Sequence, residues 1–216
     1  MKRRDFSQVC GVAMAASAGL SLPALAQMKP PVSGKDYQVL EKPAAVEAPK
    51  GKIEVIEFFW YNCPHCNTFE PALAAWIKRA GKDVVVRRVP VSFRDDFLPQ
   101  QRLFYTLEAM GLLDKLHGKV FAAIHAEKLS LGKQDEILAW VVKQGVDKTK
   151  FATQFNSFAV ATKASRGTQL QNAYKVEGVP AMGVAGRFYV DGTMAGSMDR
   201  ALQIVDSLVA LVRTGR

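Results

Sequence analysis

The spacing of apolar and polar positions divides the chain into a strand-rich start, a long helical middle and a strand-and-helix end. Residues 53–60 are almost all apolar and rich in β-formers, which predicts a buried strand. Helical spacing follows over 64–80, opening on Pro64 and closed by Gly81. Pro71 lies inside that span and predicts a kink or break. A second strand is expected over 84–91, with Pro90 confined to its end or to a sheet edge. From 95 to about 174 the pattern is mostly helical. Leu103, Leu107 and Met110 precede Gly111, and Leu113, Leu116, Val120, Phe121 and Ile124 make another apolar face. Ile137, Leu138 and Val141 end at Gly145, and Phe151, Phe155 and Phe158 open the last stretch. Strand character returns over 179–190, with Ala185-Gly186 as a hairpin turn and Asp191-Gly192 as the next turn. Leu202, Val205, Leu208, Val209 and Val212 predict an amphipathic C-terminal helix. Without the helical middle, a β-α-β…β-β-α plan remains: a sheet with a helical domain inserted into it.

The first residues follow different rules. Met1-Lys2-Arg3-Arg4 is basic, residues 9–22 are apolar and small, and Ala24-Leu25-Ala26 is a cleavage signal before Gln27. Residues 1–26 therefore read as a secretory signal peptide. Arg3-Arg4-Asp5-Phe6 also resembles a twin-arginine export signal. Residues 27–52, with Pro30, Pro31, Pro43 and Pro49, read as an extended arm.

Composition adds limits. With 216 residues, 49% hydrophobic and 23% charged, the chain can bury a core, and disorder is excluded. The net charge is +9, but past the leader only Lys78-Arg79 and Arg87-Arg88 are adjacent basic pairs. No basic stripe with interleaved aromatics is present, so nucleic acid is not an expected partner.

Of the chain's 3 cysteines, cleavage of the leader removes Cys10 and leaves Cys63 and Cys66. An exported protein meets an oxidising compartment. Cys63-Pro64-His65-Cys66 follows the predicted strand and opens the predicted helix. Pro64 suits the first helical position, which makes Cys63 the N-cap. A sulfur there accepts hydrogen bonds from the free N–H groups of His65 and Cys66 and faces the positive end of the helix dipole. The dipole supplies at most about 2 kcal/mol, so a deep pKa depression also needs the amide bonds and a protonated His65. On this reading Cys63 is the exposed attacking sulfur and Cys66 the buried resolving one. Three blander readings stand beside it, of which two inert free thiols would be odd in an exported protein. A structural staple closing so short a loop contributes only about 2 kcal/mol. A zinc site lacks a second ligand pair, since the spacing of His117 and His125 is no metal signature. Both histidines read as helix-surface or core residues, and no metal or cofactor is expected.

The surrounding residues resemble a known family. Glu57-Phe58-Phe59 leading into Cys63-Pro64-His65-Cys66, then Phe69-Glu70, with Gly178-Val179-Pro180-Ala181 on the later strand, is similar to the DsbA family of periplasmic thiol:disulfide oxidoreductases. The resemblance implies an α/β thioredoxin fold with an inserted all-helical domain: 27–94 and 175–216 as the two thioredoxin-like parts, and 95–174 as the insertion. It implies catalysis by Cys63 and Cys66, redox tuning by Pro64 and His65, and substrate binding at a cis Val179-Pro180 loop. It also implies proton transfer by Glu57, with Arg88 as its basic partner and Glu70 as a possible assistant. Strand alternation puts Glu57 on the face of Ile53, Val55 and Phe59, where burial raises its pKa and Arg88 opposes the rise. Implied partners are reduced exported proteins and a DsbB-like membrane quinone reductase, with the enzyme a periplasmic monomer. Met182-Gly183 and Ala185-Gly186 depart from the family pattern, which predicts an altered rim of the substrate groove. A disulfide isomerase or reductant, or a peptide-binding chaperone with an incidental disulfide, remain alternatives. Isomerases of this type carry an N-terminal dimerisation domain, for which residues 27–52 are too short.

Overall fold

The computed structural model describes residues 29–215; the expected signal peptide and Cys10 lie outside the described residues. The chain runs β1 (Gln38–Val39), β2 (Ile53–Phe59), α1 (Pro64–Arg79) and β3 (Val84–Pro90). A 3-10 turn (Asp95–Phe97) leads into α2 (Leu98–Ala109), α3 (Leu113–His125), α4 (Gln134–Lys143), α5 (Lys148–Phe155) and α6 (Phe158–Ala173). It ends with β4 (Ala181–Val184), β5 (Phe188–Asp191), α7 (Gly192–Ala195) and α8 (Met198–Arg213). Among the described residues, no helix is long and apolar enough to cross a membrane.

The five strands form one sheet in the order β1-β5-β4-β2-β3. β2 pairs parallel with β3 across the α1 crossover and antiparallel with β4. All seven residues of β2 are buried, as expected of a strand covered on both faces. Val55 packs with Leu73 and Trp76 of α1 and with Leu208 of α8. Ile56 and Phe58 point to the opposite face, against Leu170 and Tyr174. Beyond the strand, Phe59, Tyr61, Cys63 and Cys66 join the core of the helical block, with Leu103, Val120, Phe121 and Phe151. The Cys-Pro-His-Cys segment therefore lies on the seam between sheet and helices.

Several expectations need correction. The arm is not wholly extended coil: β1 adds an antiparallel edge strand to β5, and the bonds Leu40 N→Arg187 O (2.7 Å) and Ala44 N→Gly186 O (2.8 Å) continue the attachment. Two residues among prolines carry no periodic signal, so only pairing reveals them. α1 does not break at Pro71, which sits on an exposed side of the helix and removes one donor without ending it. Asp191-Gly192 does not form a simple turn, because the Asp191 carboxylate caps the short α7 by accepting from Met194 N at 2.9 Å. Phe158, at the start of α6, is 86% exposed, while Phe151 and Phe155 are buried. Pro90 ends β3, which is also a sheet edge.

The Ala185-Gly186 hairpin forms as expected, with positive φ at both residues (53° and 67°) and Arg187 N→Val184 O at 2.9 Å. It lies at the end of β4 away from Pro180, and neither Met182-Gly183 nor Ala185-Gly186 lines the cleft beside that proline. A Cβ on Gly183 would stand 2.8 Å from Tyr174 Cζ, and one on Gly186 would stand 2.5 Å from the Ala44 carbonyl oxygen. Gly186 N donates to the Tyr174 hydroxyl at 3.0 Å. These small residues make room for Tyr174 and for the arm.

Candidate active site

β2 ends at Phe59, and a tight turn closed by Cys63 N→Trp60 O (3.0 Å) delivers Cys63 to the N-terminus of α1. Cys63 is the N-cap, extended at φ −79° and ψ 116°, with Pro64 in the first turn. Its sulfur accepts from Cys66 N at 3.4 Å and donates to the Val179 carbonyl at 3.4 Å. Both cysteines are free thiols.

The two sulfurs differ sharply in environment. Hydrogen bonding from the Cys66 thiol lowers the Cys63 pKa first. Burial opposes it, the Cys66 and His65 amides add to the lowering, and the His65 charge contributes last; the balance is about 6. Burial pushes the Cys66 thiol strongly upward, and hydrogen bonding and charge from Cys63 push it the same way. The amides at the helix start thus outweigh the His65 charge. Cys63 is not freely exposed as expected: it is 8% accessible, and Cys66 is fully buried. The Val179–Pro180 segment, whose peptide bond is cis, packs beside it. A cleft of about 440 Å3 opens there between His65, Val179, Pro180, Thr193 and Met198.

Behind the cysteines lies a chain of buried polar groups. Glu57 faces α1 as alternation predicts, fully buried and in register with Arg88 across the β2–β3 pair. Arg88 bridges two carboxylates, through Nε to Glu57 Oε2 (3.0 Å) and through a terminal nitrogen to Glu70 Oε2 (3.1 Å). Glu70 Oε1 lies 3.2 Å from His117 Nε2, and His117 Nδ1 lies 2.8 Å from the Tyr61 hydroxyl. Burial lifts the Glu57 pKa to about 8; the Glu70 charge adds to the lift, and Arg88 opposes it. Burial alone would raise Glu70, but His117 and Arg88 outweigh it and hold this carboxyl below its usual range. Burial pulls His117 below the ordinary histidine value.

Glu70 is therefore not a solvated helix residue but the link between Arg88 and α3. Sequence reasoning missed His117, Tyr61 and His125 as parts of this region. His117 interrupts the apolar face of α3, a weak sign of a buried polar contact. His125 meets the Tyr61 carbonyl at 2.8 Å. Among the described residues, no group of three or more His, Cys, Asp or Glu side chains is placed to hold a metal ion.

Residues 54–203 match the family described as DSBA-like thioredoxin domain. The chain belongs to this family. It is 43% identical over 191 residues to the thiol:disulfide interchange protein DsbA of Burkholderia cepacia, covering 88% of this chain and 90% of the relative. The corresponding protein of Pseudomonas aeruginosa PAO1 is 38% identical, with 92% of each chain covered. The crystal structure of Pseudomonas aeruginosa DsbA superposes with a TM-score of 0.81 at 38% identity, over 85% of this chain and 95% of that one. The Neisseria meningitidis oxidoreductase NmDsbA1 gives 0.74 at 27% identity, over 85% and 95%. Membership in the DSBA-like family makes the chain a thiol:disulfide oxidoreductase with a thioredoxin fold that includes a helical insertion.

Proposed function

We propose that Cys63 and Cys66 form the redox disulfide of a periplasmic oxidase that introduces disulfides into reduced exported proteins. The observation that carries this reading is the asymmetry of the pair: Cys63 is held near pKa 6 at a helix N-terminus while burial drives Cys66 upward. A client thiolate attacks Cys63, the S–S bond breaks, and Cys66 leaves with the electron pair and takes a proton. The client's second thiolate then displaces Cys63, which departs readily as a stabilised thiolate. Stabilising that thiolate favours the reduced enzyme, so the disulfide is readily given away. Pro64 and His65 tune this balance. Val179 and Pro180 line the cleft that receives the client, and Glu57, assisted by Glu70, supplies the proton to Cys66.

On the same reading, residues 27–94 and 175–216 are the thioredoxin-like parts, and 95–174 form the helical domain. The enzyme works as a monomer without a cofactor, and a DsbB-like membrane quinone reductase reoxidises it. Family membership and the putting-together of thiols, cleft and buried carboxylates support these assignments over a chaperone with an incidental disulfide. Two measurements test them. The equilibrium of the Cys63–Cys66 disulfide with glutathione should favour the reduced enzyme strongly; a disulfide that resists glutathione points instead to a reductant or a staple. Alkylation of the reduced protein at about pH 6 should label Cys63 and spare Cys66. Preferential labelling of Cys66 reverses the two roles.

A further inference from the structure

Glu57 has no route of its own to water. Its side chain is fully buried, and its Oε1 has no hydrogen-bond partner. If Glu57 gives a proton to Cys66, it regains one only when reoxidation deprotonates Cys66, and until then the buried cluster carries an uncompensated negative charge. A compensating proton has to enter at one of the groups linked to it. A cleft of about 550 Å3 reaches this cluster from the side of the free β3 edge, away from the cysteine surface. Its walls include Arg88 and His117, with Phe104, Leu113, Asp114 and Gly118 around them, but neither Glu57 nor Glu70.

We propose that His117 is the proton port of the active site: it takes up a proton from this cleft to balance the charge left when Glu57 delivers its own proton to Cys66, and releases it when reoxidation returns the Cys66 proton to Glu57. The inference rests on the proton-transfer reading of Glu57 given above and extends it to a residue on α3. His117 is a positioning residue in this scheme: it acts through Glu70 and Arg88 and touches neither sulfur.

Charge balance supports the assignment. Near neutrality Arg88 carries one positive charge and Glu70 one negative charge, while Glu57 (pKa about 8) and His117 are mostly neutral. The resting cluster is therefore electrically neutral, the favoured condition for a buried group. When Cys66 leaves as a thiolate, the Glu57 proton moves to its sulfur, and the cluster acquires one net negative charge. One proton from solvent restores neutrality. Arg88 cannot shuttle protons, because guanidinium does not deprotonate in proteins. Glu70 is held ionised by its two neighbours and does not face the cleft. His117 faces the cleft with an imidazole able to accept a proton, and the negative charge left on Glu57 raises its proton affinity at that moment.

The groups around His117 fit the task. Glu70 on α1 accepts from Nε2–H, so the neutral ring's Nδ1 accepts from the Tyr61 hydroxyl. Tyr61 stays protonated, since burial lifts its pKa well above the usual value. Burial above all, opposed by Glu70 and aided by Arg88 on β3, disfavours the charged ring and keeps His117 neutral at rest. Asp114 on its own helix, Glu108 on α2, Glu54 on β2 and Glu47 of the arm line the same cleft and attract protons to it, against Arg87 and Arg88 on β3. Phe59, Phe104 and Phe121 wall the ring with centroids at 5.3, 5.9 and 5.3 Å, leaving the cleft as the entry.

The test follows oxidation of a reduced dithiol peptide by the full enzyme across about pH 5 to about pH 9, alongside the Cys63 pKa. His117→Ala should slow the step in which Cys66 departs by about tenfold near neutrality, with the Cys63 pKa unchanged. Free imidazole should restore the rate, because the cleft has room for it, and substituted imidazoles should restore it in the order of their pKa. His117→Asn, which keeps a donor for Glu70 and protects the fold, should show the same loss. A His117→Asn profile that overlays the native one overturns the proposal. So does a slow His117→Ala enzyme that imidazole does not restore, which makes His117 a packing residue. Glu57→Gln separates the two levels. If it slows turnover while both His117 variants do not, only the port fails; if no variant slows turnover, the proton-transfer reading fails with it.

Discussion

Glu54 and Glu57 stand on opposite faces of β2, both buried, and each meets one of two consecutive arginines of β3. Glu54, 2% exposed, accepts from the Glu47 amide at 2.9 Å and lies 4.0 Å from Arg87, which also pairs with Glu47 at 3.1 Å. Glu57 meets Arg88 at 3.0 Å, and Arg88 is shared with Glu70. The local chemistry is nearly the same, but the surroundings are not. On one face the carboxylate ties the N-terminal arm to the sheet. On the other, α1 and α3 surround it with a second carboxylate, a histidine and the buried Cys66. A buried acid on a strand is thus structural or chemical according to what packs over it.

The largest difference should appear when the arginines are removed. Arg88→Met leaves Glu57 and Glu70 facing one another without their shared cation and should destabilise the protein by about 3 kcal/mol above pH 8. The loss should shrink in acid, where Glu57 is protonated. Arg87→Met, whose closer partner Glu47 is exposed and whose buried partner Glu54 stands off at 4.0 Å and keeps the Glu47 amide, should cost about 1 kcal/mol. Urea unfolding of the two variants at both pH values measures this, and equal losses would erase the distinction between the faces.

Glu57→Gln comes next. The folded-state pKa of Glu57 is raised from 4.5 to about 8. Between those values the folded protein holds a proton that the unfolded chain has released. Stability from this residue is therefore full below about 4.5 and lost as pH rises through 8. Glu57→Gln should flatten that decline, giving a variant more stable than native by about 1–3 kcal/mol at alkaline pH, yet slower in turnover at neutral pH. The Cys63 pKa should not move, because a carboxyl that titrates near 8 is already uncharged where Cys63 titrates, near 6. Thermal unfolding against pH and thiolate absorbance check the two expectations, and an unchanged slope would count against a titrating Glu57.

Glu54→Gln sharpens the contrast from the other side. It should weaken the arm's attachment by about 1 kcal/mol and leave the glutathione equilibrium and the Cys63 pKa untouched. Movement of the redox equilibrium would mean that the two faces communicate through the strand. The smallest effect is expected from His65→Ala. The His65 charge ranks last among the influences on Cys63, so the variant should raise the Cys63 pKa by less than about one unit and make the disulfide slightly less oxidising. A large shift would reverse the ranking of amides over charge.

Local sequence determined a good deal of this protein. The apolar run of β2, the proline after Cys63 and the helical spacing behind it place the N-cap sulfur, because caps and strand faces depend on neighbours within one turn or one pleat. Alternation likewise buries Glu57. The tertiary structure alone decided what surrounds these groups. His117 meets Glu70 across 47 positions of sequence, and the Val179 carbonyl reaches Cys63 across 116. The burial of Cys63 and the attachment of β1 arise in the same way. Those contacts form when helices and sheet pack together, and no periodicity along the chain encodes which side chains will face one another.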